Sequence, residues 1–147
     1  MAIYQNEGFV SFRILLVIFM AMMLFFNKET NAQQQSPSPL SVVQAQLDAY
    51  NKQDVKAFAA VFATDVKFYN QVGDSIPSLT GREAVEKRYG DLFKKYPKNY
   101  STLAGRIVQG NYVIDHEVIT GREQEARIVA IYEVKQGLIV RCWFIRE

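Results

Sequence analysis

The chain has 147 residues, with 17 Lys and Arg against 15 Asp and Glu, a net charge of +2, one Cys and one His. Charges of both signs are mixed along it, which argues against the clustered basic face of a nucleic-acid binder. One cysteine excludes an internal disulfide and a multi-cysteine zinc site, and a metal would have to rest on His116 and carboxylates alone, so neither metal nor cofactor is expected.

Arg13 precedes an uninterrupted apolar run from Ile14 to Phe26, followed by Asn27-Lys28-Glu29 and then Thr30-Asn31-Ala32. A basic lead, a short apolar core and a small residue at the cut make residues 1–32 an export signal, with cleavage expected after Ala32. A spanning helix needs about 20 apolar residues, so no membrane anchor is expected after cleavage. The product is expected in the periplasm or outside the cell. Residues 33–39 form a polar, Gln-rich leader expected to be disordered, and residues 40–147 a single domain.

Within that domain Ser38-Pro39 reads as an N-cap with Pro in the first helical position. Leu40, Val43, Leu47 and Tyr50 share one helix face. Asn51-Lys52-Gln53 breaks the helix, and Asp54 caps a second, with Val55, Phe58, Val61 and Phe62 inward and an end near Thr64-Asp65. Val66–Asn70 reads as a short strand. Thr80-Gly81-Arg82-Glu83 has the form of a capping box before a helix carrying Val85, Tyr89, Leu92 and Tyr96, stopped by Pro97. Four β-branched and aromatic runs follow, Thr102–Gln109, Tyr112–Thr120, Ala126–Lys135 and Leu138–Arg146. Turn residues separate them as in an antiparallel meander. Helices segregated from such a sheet make an α+β domain.

The stretches Val42–Gly73, "SLTGREAVEKRYGDLF", "VIDHEVITGR" and "IYEVKQGLIVRCWF" together resemble the nuclear transport factor 2-like superfamily, in its SnoaL-like and ketosteroid-isomerase-like branch. The likeness covers about residues 40–146. It implies a strongly curved antiparallel sheet wrapped around three helices, a cone-shaped, cystatin-like architecture with a cavity inside. It also implies homodimers joined through the outer sheet face, here carrying Val129, Ile131 and Trp143, with Ile139, Arg141 and Ile145 beside them.

Matched residue by residue, the family's isomerase base falls on Asn70, its oxyanion Tyr on Gln46 and its oxyanion Asp on Ala130. Asn cannot take a proton and Ala has no donor, so steroid isomerisation by that mechanism is rejected. The same carry-over places Phe68, Asn70, Val113, Asp115, Glu117, Ile128, Tyr132, Val140, Cys142 and Phe144 toward the cavity. Asp115 is then the candidate acid–base residue, because a carboxylate among apolar groups acquires a raised pKa. The opposing reading pairs it with Arg122, Arg127 or Arg141. His116, of opposite parity on the strand, is expected in solvent or at an interface. Tyr50, Phe58, Phe62, Tyr89 and Phe93 are expected in the core, and Cys142 behaves as a small hydrophobe. Three functions fit: a binder of an unknown small apolar or amphipathic molecule, a lyase, isomerase or cyclase built on Asp115, and a structural module without ligand.

Overall fold

The computed structural model describes residues 36–146, so the export signal and the first part of the leader lie outside the described residues. Helix α1 spans Pro39–Asn51 and α2 spans Val55–Ala60. Strand β1 (Phe62–Tyr69) and the two-residue β2 (Leu79–Thr80) follow, then α3 (Arg82–Lys95). The chain closes with β3 (Tyr100–Gln109), β4 (Tyr112–Thr120), β5 (Ala126–Lys135) and β6 (Leu138–Arg146). None of the described helices is long and apolar enough to cross a membrane.

The six strands form one curved, open sheet in the order β2-β1-β6-β5-β4-β3. All neighbours are antiparallel except β1 and β6, which run parallel. The α+β class and the three-helix, curved-sheet architecture are as the sequence indicated. The core lies between the inner sheet face and the helices. Val43, Phe58, Phe62, Val66, Phe68, Val85, Val113, Ala130, Tyr132, Ile139 and Cys142 are buried there. Leu40, expected inward, is 46% exposed at the first turn of α1.

Local chemistry sets the helix starts. Ser38 Oγ accepts the amide of Ser41 at 3.2 Å with Pro39 in the first turn, and Asp54 Oδ1 accepts the amide of Ala57 at 3.0 Å. The capping box before α3 does not form. Thr80 is taken into β2 opposite Lys67, and Gly81, at φ 93°, becomes the N-cap without a side-chain bond. Strand β1 begins four residues before the expected Val66, because Phe62 pairs with Ile139 and the chain leaves α2 directly into the sheet.

Two bulges change which residues face inward. Between Leu103 and Gly105 the β3–β4 register slips by one, with an extra residue on β3. Between Glu133 and Val134 the β5–β6 register slips likewise, with the extra residue, Val140, on β6. A bulge reverses the alternation of every residue beyond it. Ile139, expected on the outer face, is therefore fully buried, whereas Cys142 and Phe144 are inward as expected.

Candidate functional site

A cavity of about 110 Å³ opens between the inner face of β4–β6 and helices α1 and α3. Its walls include Gln46 and Tyr50 from α1, Tyr89 and Leu92 from α3, and Glu117, Ile128, Tyr132 and Phe144 from the sheet. Arg88, Arg122 and Arg146 also line it. Of the residues expected in the cavity, Gln46, Glu117, Ile128, Tyr132 and Phe144 are there.

The others are not, for separate reasons. Phe68, Val113, Ala130 and Cys142 face inward but are sealed in the core, without reaching the cavity. Burial pushes the Cys142 thiol well above its usual pKa, so it is an unreactive hydrophobe. Val140, the bulge residue, lines an open surface groove with Lys135 and Leu138. Asn70 lies past the end of β1 and is exposed, so it meets neither the cavity nor Asp115.

Asp115 is on the inner face, as expected, and fully buried, but it does not line the cavity. Its two oxygens accept Nε and one terminal nitrogen of Arg106, each at 2.6 Å. The other terminal nitrogen of Arg106 donates to Gln44 Oε1 at 2.7 Å. The partner is thus Arg106, not Arg122, Arg127 or Arg141. The β3 bulge is what turns Arg106 inward, since strict alternation from the buried Ser101 would have pointed it out. With both oxygens engaged by a guanidinium, Asp115 is a structural anion joining α1, β3 and β4.

Glu117, two residues along the same face, meets a different environment. Ser101 Oγ donates to its Oε2 at 2.6 Å and the Tyr132 hydroxyl to its Oε1 at 3.1 Å. Burial is the largest influence and raises its pKa above the usual 4.5, against the lowering effect of the Ser101 bond. Burial likewise holds the Tyr132 and Tyr89 phenols protonated. Gln46, 6% exposed, turns toward the cavity with its Oε1 unpartnered.

At the cavity's end a second node forms. Arg122 Nε donates to Asn99 Oδ1 and a terminal nitrogen donates to the Tyr50 hydroxyl, both at 2.6 Å, and the Tyr50 hydroxyl donates to Asn99 Oδ1 at 3.1 Å. Tyr50 and Tyr89, expected only as core, are cavity wall. Helical spacing explained them without requiring a cavity, and nothing in the sequence signalled that Arg122 would be held by Asn99. His116 is exposed, and among the described residues no three His, Cys, Asp or Glu side chains converge as a metal site would require.

Residues 43–142 match the SnoaL-like domain family. No curated protein sequence is significantly similar to the chain. Among solved structures, an uncharacterized cystatin-fold protein from Novosphingobium aromaticivorans is 25% identical with a TM-score of 0.69, the match covering 76% of this chain and all of that one. A candidate ketosteroid isomerase from Kribbella flavida is 20% identical with a TM-score of 0.63, covering 79% and 82% of the two chains. IdmH, a candidate polyketide cyclase from Streptomyces antibioticus, is also 20% identical at TM-score 0.63, covering 76% and 93%. Three helices inside an open curved sheet, with the family match running from α1 to β6, make this chain a member of the SnoaL-like domain family, with the nuclear transport factor 2-like fold.

Proposed function

We propose that the domain binds a small amphipathic molecule in the Glu117 cavity, and that Glu117 exchanges a proton with it in an isomerase-, lyase- or cyclase-type reaction. The observation that carries this reading is Glu117 itself: a carboxylic acid raised by burial, fixed by Ser101 and Tyr132, on the wall of a cavity. A raised carboxyl is a stronger base when ionised and a usable acid when protonated, and such tuning is the common mark of acid–base residues. Gln46 Oε1, buried without a partner, suits a hydroxyl or amide donor on the ligand. Asp115, tied to Arg106, is left out of the chemistry. The cavity of about 110 Å³ is small beside the roughly 300–1,000 Å³ of pockets for drug-sized ligands, so the part enclosed is one ring or a short chain rather than a fused-ring skeleton. Ligand capture without turnover is the second reading, and it uses the same residues.

The export signal would deliver this domain to the periplasm or medium, where such a ligand would be met. Native mass spectrometry of protein recovered from its own host tests both points together. The expected species begins within a few residues of Gln33 and carries a small organic molecule. Glu117→Gln should bind that molecule more weakly by roughly 1–3 kcal/mol, the scale of one lost buried polar contact, and should not transform it. Ligand-free wild-type protein, or equal binding and turnover by the variant, would refute the reading.

A further inference from the structure

The registers of β4, β5 and β6 place Glu117, Ile128 and Arg146 in one cross-strand row. Glu117 and Ile128 are buried on the inner face, and Arg146, last residue of β6 and exposed, lines the same cavity. Two strand spacings, about 10 Å of backbone, separate Glu117 from Arg146. Arg122 lines the cavity with two of its nitrogens already held by Asn99 and Tyr50, so its guanidinium is fixed in place. Arg88 adds a third cation from α3. Among the described residues no carboxylate pairs with Arg88, Arg122 or Arg146. The nearby acids are engaged elsewhere, Glu125 with Arg127 at 3.3 Å and Glu123 with Lys95 at 3.8 Å.

Three guanidinium groups without carboxylate partners, around a cavity containing one protonatable acid, form an anion-selective lining. Guanidinium groups favour planar, charge-assisted pairing with carboxylates. The enclosed volume, about 110 Å³, is on the scale of a single ring: an apolar cavity of about 150 Å³ holds benzene. From these observations we infer that the ligand is a small organic carboxylate, its apolar part against Ile128, Leu92 and Phe144 and its carboxylate held by Arg146 and Arg122. This deepens the proposed function and rests on it, because it takes the same cavity to be the binding site.

Sodium benzoate is a suitable test ligand, with benzyl alcohol as its uncharged counterpart and inorganic phosphate as a bare anion. Titrations by saturation-transfer NMR should show benzoate bound more tightly than either control. Arg146→Gln, which removes no side-chain hydrogen bond among the described residues, should weaken benzoate by roughly fivefold, the scale of one exposed ion pair, and leave benzyl alcohol unchanged. Benzoate binding that is indifferent to Arg146→Gln, or equalled by benzyl alcohol or phosphate, would overturn the carboxylate assignment. Should benzyl alcohol alone bind, with sensitivity to Glu117→Gln, the Glu117 site would stand and its anion selectivity would fall. Failure of every ligand would count against both.

Discussion

Two residues apart on the inner face of β4, Asp115 and Glu117 meet neighbours that give them opposite behaviour. Asp115 offsets the buried charge of Arg106, whose side chain is only 10% exposed. Removing one partner of such a pair leaves the other charge uncompensated, which costs about 3–5 kcal/mol. Asp115→Asn is therefore expected to destabilise the fold by that order, read by urea denaturation at neutral pH. Glu117→Gln should behave differently with pH. Burial raises the folded-state pKa of Glu117, so the native state binds more protons than the unfolded one above pH 4.5. The stability Glu117 supports is full below that value and falls as pH rises through its raised pKa. Glu133 has the reverse sign: the Arg141 hydrogen bond lowers its pKa, so its contribution is present above 4.5 and fades on acidification. Denaturation curves collected from about pH 4 to 8 should show wild-type stability declining over a window that starts near 4.5, and Glu117→Gln should flatten it. An unchanged slope would mean Glu117 ionises freely. Strand alternation put both carboxylates on one face, and the family resemblance indicated that this face is the inner one. The division of labour between them was not, because the bulge that supplies Arg106 leaves only a Gly in the sequence, at position 105.

At the scale of the element, β4, β5 and β6 could be read with their full boundaries. Gly110-Asn111 and Gln136-Gly137 close two hairpins with positive φ at Gly110, Gln136 and Gly137, and the β-branched and aromatic runs between the turns mark the strands. Strand β2 was not legible, since a two-residue pairing has no periodicity. The β4–β5 connection is the most constrained of the turns. A Cβ at Gly121, whose φ is 77°, would lie 1.8 Å from the Lys98 carbonyl oxygen and 2.8 Å from the Asn99 amide nitrogen. Both are backbone atoms that cannot swing aside, and Asn99 is bound to Arg122 and Tyr50. Gly121→Ala should thus cost at least about 2 kcal/mol and loosen the Arg122 node at the cavity. Gly73→Ala is the control: its φ is 94° but nothing lies within 4 Å, so only the left-handed backbone term of about 1–2 kcal/mol applies. Equal thermal shifts in the two variants would show that the contact with Lys98 gives way.

At the scale of the whole molecule, the resemblance carried by the opening helices and closing strands gave the curved sheet, but two bulges decided how its faces are populated. The outer face keeps an apolar band. Trp143 pairs in register with Ile131 and Tyr69, and Ile131 pairs with Ile114, running from β4 to β1. Tyr69 and Trp143 stack with ring centroids 5.7 Å apart, and Arg141 lies over the Trp143 ring. Val129 and the 41% exposed Ile145 extend the band next to His116. Ile139 has left this face for the core, so the band is narrower than the sequence suggested, yet its centre at Ile131 and Trp143 is intact. A continuous apolar strip on an open sheet face is the ordinary basis of self-association, and a two-fold axis through it would lay the strip of one protomer on its copy. Trp143→Glu removes the largest apolar side chain of that strip and puts in its place a charged group that association would have to strip of water. Sedimentation velocity should find a dimeric wild type and a monomeric Trp143→Glu of unchanged circular dichroism. Replacing the 80% exposed Ile76 by Glu should leave the dimer in place. A wild type that sediments as a monomer at micromolar concentration would remove the outer face as an interface and leave the band as exposed apolar surface.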